Sequence, residues 1–179
     1  VHRDARDTAA DLGTRIHNRA EKMALQAPFP ADPEVDPYAR QLALFWERWG
    51  VDLNEDIIAA EITFAHRRLG YAGTGDLMTL LRTSWRRVRG RRAKQLWLVD
   101  YKTSAKRPAT SVYPENAMQL AAYAKFDGHL EDSQLVNVAI SRTLPGAIGV
   151  KVWGDNQRHW ARFHALLNYW QCTVQWGIK

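Results

Sequence analysis

Cysteine is nearly absent: Cys172 stands alone in a chain of 179 residues. One thiol excludes an internal disulfide and any cysteine-based metal or iron–sulfur site, and it is compatible with the reducing cytosol. Long apolar runs are missing as well. No stretch approaches the roughly 18 residues of a membrane span, and no secretory leader is visible. The sequence begins at Val1 without Met, so some N-terminal sequence is expected to be missing. Acidic residues are absent from one segment, 82–94, "RTSWRRVRGRRAK", which carries Arg82, Arg86, Arg87, Arg89, Arg91, Arg92 and Lys94. Without those seven, the chain has 18 basic against 19 acidic residues, so the net charge of +6 is local. Such a segment, with Trp85 and Val88 interleaved, suits phosphate binding. It equally suits a solvated hairpin tip.

What is present describes one soluble domain. Hydrophobic residues make up 46% of the chain and charged residues 25%, enough to bury a core without staples. Leu12, Ile16, Ala20 and Met23 form an apolar stripe that predicts a helix over 5–26. A proline-rich loop follows, and Asp36-Pro37 reads as a cap residue followed by Pro at the first helical position. Tyr38, Leu42, Phe45, Trp46 and Trp49 then share one face until Gly50. Residues 57–66, 70–81 and 95–103 read as strands, with the basic segment around Gly90 as the hairpin tip between the last two. "YPENAMQLAAYAKF" (113–126) reads as a helix, 134–142 and 147–153 as strands joined by a Pro145-Gly146 turn. Asp155 is expected to cap a final helix whose buried face is Trp160, Phe163, Leu167, Trp170 and Val174. The order ααβββαββα predicts an α/β fold, a mixed sheet flanked by helices. The single domain, 1–179, divides into N-terminal helices (5–50), a core (57–142) and a C-terminal strand and helix (147–176).

The chemistry centres on "LWLVDYKTSA", residues 96–105. Alternate residues of a strand face the same way, so Asp100 and Lys102 share a face and Tyr101 points away. Alone, such a pair is more often a surface ion pair. Its neighbours change the reading. Asp76, in Gly73-Thr74-Gly75-Asp76, starts the adjacent strand and falls at the same end of the sheet if the two run antiparallel. Glu61 interrupts the apolar run "IIAAEITF" on the strand before. A buried carboxylate is costly unless paired or metal-bound, and hard cations such as Mg²⁺ or Mn²⁺ would relieve the repulsion among three. Gly13, His17 and Glu21 recur at four-residue spacing along the first helix, and Gln119 and Tyr123 do so on the helix after Lys102. Each alone has a bland reading: a solvent-facing histidine, the polar flank of an amphipathic helix. His2, His66, His129, His159 and His164 have no motif context, and most tryptophans fall on apolar stripes.

Taken together, Gly13-x3-His17-x3-Glu21, Glu61, Gly73-x2-Asp76, Asp100-x-Lys102 and Gln119-x3-Tyr123 resemble the PD-(D/E)xK nuclease superfamily over roughly residues 8–142. The similarity is to its RecB-like exonuclease branch, which includes CRISPR-associated adaptation nucleases and phage exonucleases. The resemblance implies a restriction-endonuclease-like core and phosphodiester hydrolysis with one or two Mg²⁺ or Mn²⁺ ions. It implies Asp76 and Asp100 as principal ligands, with Glu61, His17 and the Tyr101 carbonyl completing the set. Lys102 would orient or help deprotonate the attacking water. Gln119 and Tyr123 would line the cleft. Thr103, Ser104 and Lys106 would hold the strand being cut, and Arg86, Arg87, Arg89, Arg91 and Arg92 the DNA outside it. The iron–sulfur members of the branch need four cysteines, so no such cluster is expected here. The expected activity is a metal-dependent DNA exonuclease acting in recombination, repair or phage DNA processing. The expected setting is the cytoplasm of a bacterium or phage-infected host, with DNA ends and a single-strand-annealing or other recombination protein as partners. A structure-specific endonuclease and a non-catalytic nucleic-acid-binding module on the same fold stay open, as does an oligomer.

Overall fold

The computed structural model describes residues 2–88, 91–104, 112–126, 130–144 and 147–175. Two helices lead, α1 (His2–Ala24) and α2 (Asp36–Trp49). Three strands follow: β1 (Ile57–His66), β2 (Tyr71–Val88) and β3 (Arg91–Ser104). Then come α3 (Pro114–Phe126), β4 (Gln134–Ser141), β5 (Ile148–Trp153) and α4 (Asn156–Gln175). The five strands form one sheet in sequence order. All neighbours are antiparallel except β3 and β4, which run parallel across the α3 connection. The predicted order and the mixed α/β architecture are therefore present. Among the described residues no helix is long and apolar enough to cross a membrane.

The sheet is covered on both faces, which is why β3 reads as continuously apolar. On one face Ile16 and Ala20 of α1, with Leu42, Phe45 and Trp46 of α2, pack on Leu77, Trp97, Val99 and Tyr101. On the other, Leu120, Ala121, Tyr123 and Ala124 of α3 pack on Phe64, Leu98 and Leu135, with Trp160 of α4 alongside. Two arginines of α1 tie down the proline-rich loop. Arg15 reaches Asp32 and Glu34, each at 2.6 Å, while Arg19 donates to the Pro30 carbonyl at 2.8 Å and lies over the Phe29 ring.

Three local expectations need correction. Asp36 is not the cap of α2: Val35 holds that position without a side-chain bond, and the Asp36 carboxylate instead takes Arg19 at 2.5 Å. Attraction to a buried guanidinium outweighs a local capping bond. The basic segment is not simply a tip, because the β2–β3 ladder extends to Val88 opposite Arg91. Arg86, Arg87, Arg91 and Arg92 thus lie on the two strand arms; Gly90 and Arg89 fall outside the described residues, as does the Pro145-Gly146 turn. Finally, Trp170 and Val174 are exposed. At 20 residues α4 outruns the 13-residue α3 it packs on, so its apolar stripe continues past its cover. Gly50, in the left-handed region, ends α2, and the Asp155 carboxylate accepts from the Arg158 N–H as a cap of α4.

Candidate metal centre at the fork of the sheet

The site arises where two strands stop pairing. The β2–β3 ladder ends at Leu77 opposite Val99. Beyond it β2 stays paired with β1 as far as Tyr71 opposite His66, and β3 stays paired with β4 as far as Ser104 opposite Ser141. The sheet therefore forks, and the first rung past the last pair places Asp76 beside Asp100. By the same register Glu61 lies opposite Asp76, between Ala60–Leu77 and Ile62–Gly75.

The β1–β2 hairpin also turns over at this rung. Residues two apart on a regular strand share a face, yet Ala60 packs on the α1–α2 side and Ile62 on the α3 side. Leu77 likewise faces α1 and α2, whereas a Cβ on Gly75 would point at Phe64 and Tyr123 on the α3 side. Glu61, at the pivot, has φ 50°, a left-handed conformation that costs a non-glycine residue on the order of 1 kcal/mol or more. A side chain at such a pivot lies in the plane of the sheet, and Asp76 does so. Its Oδ2 accepts the Tyr101 N–H at 2.5 Å, replacing the ladder bond lost at the fork, and its Oδ1 lies 3.1 Å from His17 Nδ1. Because N–H and C=O of one strand residue point to the same edge, the Tyr101 carbonyl faces the fork too. The Tyr101 ring points the other way, edge-on to His17, and is buried under α1 and α2.

His17, Glu61 and Asp76 each offer one donor atom, and these atoms lie within 4.8 Å of one another. They open onto a cleft of about 350 Å³ bordered by Gly13, Thr14 and Asn18 of α1 and by Thr103. Two carboxylates and an imidazole converging on an open cleft could hold a divalent cation. Burial alone would lower the His17 pKa, but the bond to Asp76 and the charges of Asp76 and Asp100 outweigh it and raise it. The Glu61 pKa is raised by burial first and then by the neighbouring Asp76 and Glu21 charges. With no cation between them the two carboxylates repel each other and Asp76 favours a protonated His17; a bound cation would reverse both.

Asp100 stands slightly apart. Its side chain is 3% exposed, and its oxygens accept Lys102 Nζ at 2.7 and 2.8 Å and Asn137 Nδ2 at 2.7 Å. Burial pushes its pKa up to about 6 despite the Lys102 charge, and the Asp76 charge adds to the rise. Lys102 Nζ also reaches Gln119 Oε1 at 3.3 Å, and Gln119 Nε2 donates to the Tyr123 hydroxyl at 2.7 Å. The Tyr123 ring lies directly over β2: a Cβ on Gly73 would sit 2.5 Å from its Cε1, and one on Gly75 2.9 Å from Phe64. These two positions admit only glycine without a shift in the aromatic stack. Gly13 is different, since a Cβ there would meet Thr103 Oγ1 at an ordinary 3.5 Å.

The fold thus brings together Glu61, Asp76, His17, Asp100, Lys102, Gln119, Tyr123 and Thr103. Ser104 closes the β3–β4 ladder, its carbonyl accepting from the Arg142 N–H. Lys106 lies outside the described residues, and the backbone of Arg86, Arg87, Arg91 and Arg92 runs at the opposite end of the β2–β3 ladder from the fork. His66, His159 and His164 sit instead against the rings of Tyr71, Trp153 and Trp160. Sequence reasoning missed Asn137 and Trp153, although a polar residue in the apolar run "QLVNVAIS" carries the same signal that singled out Glu61. It also missed Thr14 and Asn18, which carry no signal beyond adjacency to His17. Comparison of the chain with protein-family models and with curated proteins found no match.

Proposed function

We propose that this chain is a Mg²⁺- or Mn²⁺-dependent deoxyribonuclease with a PD-(D/E)xK-type core, acting on DNA ends as an exonuclease. The observation that carries the reading is the fork rung: Glu61, Asp76 and Asp100 on three neighbouring strands, with His17 on one side and Lys102 on the other. Three carboxylates crowded at one break in a sheet repel one another, and with a histidine beside them they suit a cation next to an anionic substrate. When bound, the cation would neutralise phosphate oxygens and acidify a water.

The protein's own residues supply the rest. Asp76 is held from behind by the Tyr101 N–H and keeps Oδ1 toward the cleft. Lys102 is a point cation on a flexible stem, parked between Asp100 and Gln119, from which it can swing to the attacking water or the phosphate. Gln119, fixed by Tyr123, keeps an acceptor beside the ammonium and so limits where it goes. Thr103, Thr14 and Asn18 border the cleft where a strand would pass. DNA recombination, repair or phage DNA processing is the matching context, with DNA and a recombination protein as partners.

The test is cleavage of labelled linear and closed circular DNA with Mg²⁺, Mn²⁺ or chelator, beside Asp76→Ala and Lys102→Ala. Metal-dependent loss of linear substrate from its ends, abolished in both variants, is expected. Cutting of circles would instead favour an endonuclease. Binding of DNA without cutting under any metal would leave a binding module and refute the enzyme.

A further inference from the structure

Asp100 is gripped by more than Lys102. The Asn137 side-chain amide donates to its Oδ2 at 2.7 Å and lies 3.3 Å from its backbone carbonyl. One amide therefore holds both ends of the same residue and fixes the rotation between them. Asn137 is fully buried, on the strand next to Asp100 and in register with it. Its own orientation is set from the far side. Trp153 Nε1 on β5 donates to Asn137 Oδ1 at 2.7 Å. An indole N–H can only donate, so the amide oxygen must face Trp153 and the amide nitrogen must face Asp100. The Trp153 ring in turn contacts the His159 ring edge-on and has Lys151 Nζ over it at 5.0 Å. A continuous line, Trp153 to Asn137 to Asp100, thus crosses three strands and ends at the fork.

We propose that Asn137, aimed by Trp153, is the positioning residue for Asp100 in the proposed nuclease site. The inference rests on that functional reading and adds a requirement to it. Lys102 neutralises Asp100 in the resting arrangement, yet its proposed work needs it to leave for water or phosphate. When it does, the neutral amide remains and keeps the carboxylate from turning away from the fork. Without Asn137, departure of Lys102 would leave the Asp100 carboxylate with no hydrogen-bonding side chain among the described residues to define its direction. Partners of this kind, one layer behind a metal site, typically change metal affinity or activity by about 10–100-fold.

The experiment compares the wild-type chain with Asn137→Leu and Trp153→Phe. Mn²⁺ affinity is measured on each by calorimetry and by the free-Mn²⁺ paramagnetic resonance signal. Cleavage is titrated separately against Mn²⁺ and against DNA, and melting temperature is followed throughout. Asn137→Leu is expected to raise the Mn²⁺ dissociation constant about 10–100-fold, to leave KM for DNA within about twofold, and to recover rate at high Mn²⁺. Trp153→Phe keeps a ring but frees the amide to flip, and is expected to shift Mn²⁺ affinity the same way by about three- to tenfold, one hydrogen bond's worth. Wild-type Mn²⁺ affinity in both variants overturns the proposal, as does a lowered melting temperature with unchanged Mn²⁺ affinity in the folded protein. If the wild type itself neither binds Mn²⁺ nor cuts, the nuclease reading fails first and takes this inference with it. If the wild type binds and cuts while the variants match it, only the positioning role fails.

Discussion

Replacing Asp100 by Asn should make the metal-free protein more stable at neutral pH. Asp100 is almost wholly buried, and burial raises its pKa from 3.8 to about 6 even with Lys102 against it. A carboxyl whose folded pKa lies above its unfolded value favours the fold when protonated. That contribution is complete below about pH 4 and is lost as pH rises through about 6. The shift corresponds to roughly 3 kcal/mol at most, and the ammonium left behind by the substitution, about a quarter exposed and still near Gln119, reduces the gain to about 1–2 kcal/mol. The Asn carboxamide oxygen can still accept from Asn137, so the packing is kept. The assay is urea denaturation with chelator at pH 4.5 and pH 8. Near pH 4.5 the two proteins should differ little; at pH 8 Asp100→Asn should have the higher midpoint. Added Mn²⁺ should then reverse the order, because a ligand that binds only the folded state stabilises the protein that binds it better. Equal midpoints at both pH values, or a wild type that is more stable than the variant at pH 8 without metal, would refute the claim that a buried, under-compensated carboxylate sits at the fork.

Gly73→Ala places a Cβ 2.5 Å from Tyr123 Cε1; it should cost about 1–3 kcal/mol by thermal or urea melting and reduce cleavage by disturbing Gln119 and Lys102. Trp170→Ser, at a position more than half exposed, should leave stability within about 0.5 kcal/mol of wild type, where Leu167→Ala on the covered part of the same stripe should cost about 2 kcal/mol or more. Changing Arg86, Arg87, Arg91 and Arg92 to Gln should lower DNA affinity and flatten its dependence on salt by about 0.9 in log–log slope for each phosphate no longer neutralised, read by fluorescence anisotropy in chelator. An unchanged slope would make the hairpin arms a solvated surface.

Much of this molecule is legible in one dimension. The apolar stripe of Leu12, Ile16, Ala20 and Met23, the Gly50 stop and the unbroken run Leu96–Val99 specify helices and a doubly covered strand, because side-chain periodicity reports which faces must leave water. The residue types of the candidate metal site are legible as well, since a carboxylate in an apolar run such as Glu61 demands a partner. What the tertiary structure alone decides is where the partners meet. The end of the β2–β3 ladder, the overturn of the hairpin at Glu61 and the sideways throw of Asp76 depend on how two strand pairs twist against helices far away in sequence. The longer hairpin arms and the uncovered end of α4 were settled in the same way, by what lay opposite each residue. So was the place of Asn137: its polarity was visible in the sequence, but its two hydrogen bonds required Trp153 and Asp100, distant in the chain, to arrive on either side of it.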